Sequence, residues 1–118
     1  MSFNGTEGNA IALETAAQLT QNYREANPAP GTILGCFLGK DILHQLLKQP
    51  GCEGIRFYYG LNGSTPELVA VGADNEQNDQ LGTVAGIHRI VADDMPKCPP
   101  YASQPNPLNS TPQQNEDK

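Results

Sequence analysis

A chain of 118 residues is one domain at most, and its 13 acidic against 7 basic residues set a formal charge of −6. No two basic residues are adjacent, which excludes the clustered Lys and Arg that displace phosphate counterions, so no nucleic-acid partner is expected. No apolar run approaches the ~18 residues of a membrane span, and the start M-S-F-N-G-T-E-G-N lacks the basic and apolar regions of a signal peptide; a cytoplasmic protein with no membrane partner is the expectation.

Residues 1–9 are small and polar and read as a flexible N-terminus. A first helix is expected from about Ala10 to Glu25, where Ala12, Ala16, Leu19 and Tyr23 recur at helical spacing. Asn9 is its expected N-cap, and Asn27-Pro28 ends it, because a residue before proline is pushed out of the α region. A second helix covers roughly Gly39 to Lys48, with Ile42, Leu46 and Leu47 on one face, and Pro50-Gly51 stops it. Ile55, Phe57 and Tyr59 then alternate with Arg56 and Tyr58, the period of a strand. Asn62-Gly63 marks the following turn, with positive φ expected at both centres, and Pro66 suggests a loop longer than two residues because it cannot donate to a ladder. Leu68 to Gly72 is the returning strand, and Val84 to Val91 reads as a third. Six of the ten prolines lie after Met95, among Asn, Gln and Ser. Such a tail buries too little apolar surface to offset its ordering entropy and is expected to be extended or disordered.

These elements predict an α+β fold: two N-terminal helices packed on a small antiparallel sheet of two or three strands, with a disordered Pro/Asn/Gln-rich tail. The domain division is a flexible 1–9, a single α+β domain over 10–94 and the tail over 95–118. The expected core comprises Leu19, Tyr23, Ile42, Leu46, Leu47, Ile55, Phe57, Val69 and Val71.

The run G-K-x-x-[IL]-x-x-[IL]-L-x-Q-x-G-C-x-G-I-R-x-Y-x-G from Gly39 to Gly60, with the later L-V-A-V-G-A-D, Asn78-Asp79 and the C-P-P at Cys98, resembles a group of uncharacterised small bacterial proteins. The resemblance covers most of the chain before the tail and implies no established activity. Proteins of that group often carry a second cysteine soon after C-P-P, where this chain has Ala102, so the resemblance implies neither a paired-thiol nor a metal role for the tail.

Cys36, Cys52 and Cys98 are odd in number and widely spaced, which is no disulfide framework. Cys52 follows a helix C-terminus and precedes Glu53, both of which oppose thiolate formation, so it reads as a packing residue. No C-x-x-C or H-x-x-x-H spacing pre-arranges His44 or His88 as zinc ligands. Asp74 to Asp79 has alternating oxygen-bearing side chains, but a calcium loop needs glycine where Asp79 stands and a bidentate Glu where Ala85 stands. Asp93 and Asp94 are adjacent and point apart if extended. The triplets at Asn4, Asn62 and Asn109 match a glycosylation pattern by chance in an Asn-rich chain. Arg56 is the one charge in the strongest strand, set either to stack on an aromatic face or hold a carboxylate bidentately, or else to face solvent beside Tyr58.

Three functional readings follow. The first is a non-catalytic binding or assembly module, with Arg56 and Tyr58 as binding residues, a protein partner or a homo-oligomer, and neither cofactor nor metal. The second is a small enzyme or ligand-binding domain with a pocket near Arg56, His88 and Asp74. The third is a metal-binding protein using Cys98 and His88.

Overall fold

The structure, a computed structural model, describes residues 2–110. In chain order it contains helix α1 (Leu13–Ala26), strand β1 (Gly35–Cys36), helix α2 (Lys40–Leu47), strands β2 (Gly54–Asn62), β3 (Thr65–Ala73), β4 (Thr83–Val84), β5 (Ile87–His88), β6 (Val91–Ala92) and β7 (Lys97–Cys98). The class is α+β, as the sequence predicts. The described residues form two compact units built from separated segments, one from 2–8 and 37–96, the other from 9–36 and 97–110.

In the first unit α2 begins at Gly39 and closes at Lys48, whose N–H donates to the His44 carbonyl at 2.9 Å. The stop is a type II turn over Gln49-Pro50-Gly51-Cys52. The Cys52 N–H returns to the Gln49 carbonyl at 3.0 Å, and Gly51 at φ +81° supplies the left-handed conformation that turn requires. β2 and β3 then pair antiparallel over their full nine residues, with Tyr58 opposite Val69 and Asn62 opposite Thr65. The connection is therefore a two-residue turn centred on Gly63-Ser64. Of the two, only Gly63, at φ +64°, is positive, the pattern of a type II′ turn. The expected Asn62-Gly63 centre and the longer loop are both corrected. Pro66 is tolerated because it stands opposite Leu61, a non-hydrogen-bonded position whose N–H side faces away from β2.

The sheet runs β2-β3-β6. Its third strand is Val91–Ala92, paired with Val71 and Ala70, and not the expected Val84–Val91. That segment is broken by a tight hairpin, Thr83 opposite His88 and Val84 opposite Ile87, whose turn residues Ala85 and Gly86 both have positive φ. Between β3 and this hairpin the chain doubles back through Asp74–Asn78. The Asp74 Oδ1 accepts from the N–H groups of Glu76 and Asn78, both at 2.9 Å, and Ala73 bridges Asp79. Consecutive extended residues point to opposite faces, so this return delivers Asp79 to one face of the sheet and Gln80 to the other.

The Gln80 face carries the core. Leu46 and Ala70 are wholly buried, and Gln80 is 1% exposed. The Gln80 Nε2 donates to the Pro50 carbonyl at 2.8 Å, and its Oε1 accepts from Gln49 Nε2 at 3.4 Å. Gln49 Nε2 also donates to the Leu46 carbonyl, while Gln49 Oε1 accepts the Ile90 N–H at 2.9 Å. Every polar atom of the two amides has a partner, as a buried amide requires. The space for them is Gly72: a Cβ there would lie 2.6 Å from Gln80 Oε1 and 3.0 Å from Gln49 Nε2.

Of the expected core, Leu46 and Val71 are buried and Ile42, Ile55 and Val69 half-buried. Leu47 and Phe57 are corrected to half-exposed: Leu47 ends α2 and lines an open cleft, and Phe57 is left bare because α2 is about 12 Å long at 1.5 Å per residue beneath a strand of about 30 Å. The helix covers one end of β2 and leaves the rest open.

The second unit holds α1, with no buried residue, and the two-strand pair of β1 with β7. Leu19 and Tyr23 are exposed there, against expectation. The helix starts three residues later than predicted, at an N-cap of Ala12 without a side-chain cap, so Asn9 does not cap it. It closes where expected, with Asn27 Nδ2 donating to the Tyr23 carbonyl at 3.0 Å. As far as it is described, the tail holds the short strand β7 and otherwise neither helix nor strand, as an extended segment would. Met95 is 4% exposed, Cys98 pairs with Gly35, and the prolines after it are spaced by asparagines that bond the backbone. The Asn106 Oδ1 accepts the Leu108 N–H at 2.8 Å, and the Asn109 Oδ1 accepts the Asn106 N–H at 2.9 Å. Composition alone misses such side-chain substitutes for a ladder. The rest of the expected tail, after residue 110, lies outside the described residues.

Gly72→Ala should lower unfolding free energy by about 1–3 kcal/mol, the usual cost of overpacking, since the two glutamines cannot retreat without breaking their own bonds. Urea denaturation of both proteins measures it, and a variant as stable as the wild type would show that the amides have room.

Candidate functional site

The first unit's other face is organised by Asp79. From the far edge of β3 it reaches across to β2, where its Oδ1 pairs with Arg56 Nη1 and its Oδ2 accepts from the Tyr58 hydroxyl at 2.5 Å. The same Nη1 also donates to the Gln77 carbonyl at 3.2 Å. Phe3, held by its N–H on the Asn75 carbonyl at 2.9 Å, lies with its ring centroid 5.7 Å from the guanidinium carbon, a cation–π distance. Arg56 therefore combines an ion pair with aromatic contact, as one of its two readings expects, but it engages one carboxylate oxygen while Tyr58 takes the other. Beneath this cover Val71 is 2% exposed. The N-terminal residues share in the ordering, since the Glu7 carboxylate accepts from the N–H groups of Asn4 and Gly5, both at 3.0 Å.

The charges respond to one another. The Tyr58 hydroxyl bond holds the Asp79 carboxyl below its ordinary range; partial burial opposes the shift and Arg56 adds to it. The bond to Asp79 raises the Tyr58 phenol, burial raises it further, and the Arg56 charge works the other way. The Arg56 guanidinium is raised, chiefly by the Asp79 hydrogen bond.

Beside Arg56 is a cleft of about 450 Å³ whose lining includes Phe3, Glu7, Leu47, Glu53 and Ile55. Neither His88 nor Asp74 lines it. His88 sits exposed on the β4–β5 hairpin with its Nδ1 3.3 Å from Thr83 Oγ1, and the Asp74 carboxylate is spent on its own loop. Cys98 belongs to the second unit and His88 to the first, and among the described residues no three His, Cys, Asp or Glu side chains converge as a metal site. Cys52 is half-buried with its Sγ on the Gly54 carbonyl at 3.2 Å, and His44 is exposed on α2. Among the described residues no helix is long and apolar enough to cross a membrane.

On the opposite face the odd-numbered residues of β2 form a stripe. Phe57 is 46% exposed, Leu61 74% and Tyr59 94%. By type and period Phe57 is a core residue, and only the even-numbered face, with Arg56 and Tyr58, carries a binding signal in sequence. Neither Asp79 nor Gln80 was identified, because their partners lie 23 and 31 residues away. The chain matches no protein-family model, no curated protein and no solved structure.

The pKa directions fix the pH behaviour of this cluster. A lowered Asp79 pKa contributes stability above the unfolded carboxyl range and loses it as pH falls through the folded value. A raised Tyr58 pKa contributes below the ordinary tyrosine range and loses it as pH rises through the folded value. The stability difference between wild type and Asp79→Asn should thus be flat at neutral pH and shrink at both extremes. Denaturant titrations across pH measure it, and a difference independent of pH would contradict the assignment.

Proposed function

We propose that this chain is a non-catalytic binding or assembly module whose contact zone is the β2–β3 hairpin. The observation that carries the reading is the exposed stripe of Phe57, Tyr59 and Leu61, three large apolar side chains in a row on a strand that the short α2 leaves uncovered. Contiguous apolar surface of this kind marks interaction sites. Tyr and Arg dominate interface energetics, and the hairpin offers both, with Arg56 and Tyr58 on the second face.

Asp79 supports the reading by fixing Arg56 and Tyr58 in place. A contact surface ordered before binding loses less conformational freedom on association. Arg56 thereby acquires two duties, since it holds the hairpin through Asp79 as well as presenting its outer edge. The acidic balance of the chain favours a protein partner over a phosphate backbone.

Tyr59→Ala and Leu61→Ala should leave unfolding free energy within about 0.5 kcal/mol, as exposed substitutions do, yet abolish association. Arg56→Ala should weaken association and also lower the melting temperature, because it removes the ion pair to Asp79. Melting curves, with sedimentation and capture on the tagged full chain, separate these effects. Association unchanged in all three variants would overturn the proposal.

A further inference from the structure

We propose that the hairpin's partner is a second copy of the same chain, joined antiparallel along the open edge of β2. The inference builds on the contact-module reading and names its occupant. β2 is the outer strand of its sheet. In a two-residue hairpin Asn62 and Thr65 form a hydrogen-bonded pair, so by alternation the N–H and C=O groups of Ile55, Phe57, Tyr59 and Leu61 point outward, away from β3. Natural edge strands are guarded by lysine, proline, bulges or short length. β2 has nine paired residues and carries neither lysine nor proline.

The strand complements itself in charge and shape. Its sole charge is Arg56, and that is paired within the chain with Asp79, so the strand itself brings no unpaired charge to the seam. Full overlap of Gly54–Asn62 with its own copy places the two-fold axis at Tyr58, the midpoint. Residue numbers of facing pairs then sum to the same value, and Phe57 faces the second copy's Tyr59 through the outward hydrogen-bonding groups of both. Parity and full overlap thus agree without a slip. Arg56 faces the second copy's Gly60, which has no side chain to obstruct it, and the two arginines stand apart. The two stripes merge into one, with Phe57–Tyr59 aromatic pairs across the seam, a favoured cross-strand combination. A two-fold contact of this type uses each edge once and closes as a dimer.

The test is sedimentation of the full chain from micromolar to submillimolar concentration, with amide exchange on the same samples. The expected mass rises to a dimer and no further. With it the Phe57 and Tyr59 amides become protected, while those of Arg56 and Tyr58, already bonded to β3, change little. Tyr59→Lys should weaken the dimer by roughly thirtyfold or more, as loss of an interface hot spot does, with an unchanged circular dichroism spectrum. A monomer at every concentration overturns the inference. So does a dimer whose Phe57 and Tyr59 amides stay unprotected, or one indifferent to Tyr59→Lys. If the wild type is monomeric but Tyr59→Lys abolishes capture of a different protein, self-pairing alone fails; if nothing depends on Tyr59, the contact-module reading fails with it.

Discussion

The first unit turns on a space that one residue leaves empty. Gly72 has no side chain, and the amides of Gln49 and Gln80 occupy the position where one would be. Two neutral amides buried at 9% and 1% exposure are tolerable only if fully bonded, because each orphaned donor or acceptor costs about 1–3 kcal/mol. Here the bonds reach the end of α2 through the Leu46 carbonyl, the type II turn through the Pro50 carbonyl, and the approach to β6 through the Ile90 N–H. A single pair of side chains thus secures three chain segments to β3, the central strand.

That arrangement explains why the sheet has one covered end and one open end. The amides, Leu46 and the return through Asp74–Asn78 all gather near the Gly54–Ala73 end of the hairpin. The eight residues of α2 reach no further. Asp79 secures the same end on the opposite face, next in sequence to Gln80. Beyond these anchors the hairpin continues to Gly63 as a paired but largely uncovered ribbon, and its aromatic residues are exposed because nothing in the unit is long enough to bury them.

Local chemistry made part of this legible. The α2 stripe, the Pro50-Gly51 stop and the alternation of β2 each depend on neighbours within a few residues, and all three stand nearly where the spacing placed them. Asn62-Gly63 announced the turn, but the register shifted its centre by one residue to Gly63-Ser64. What sequence could not disclose was coverage. Phe57 looks like a core residue by type and period, yet its burial depends on the length of a helix that crosses only part of the strand. Asp79 fails the calcium-loop template and shows no other local role, because nothing nearby in sequence names Arg56 as its partner. The tail was legible in part: its prolines predict the lack of helix or strand beyond β7, whereas the bonds that Asn106 and Asn109 supply by side chain carry no composition signal.

The most direct measurement is native-state exchange of the Ile90 amide, the backbone donor to Gln49 Oε1. If the amide pair secures the first unit, this proton is released only when the whole unit unfolds. Its exchange free energy then equals that from denaturation and exceeds that of the hairpin tip. An Ile90 amide that exchanges as fast as the exposed turn at Ala85-Gly86, while β3 remains protected, would show that the sheet stands without the glutamines and would contradict the account.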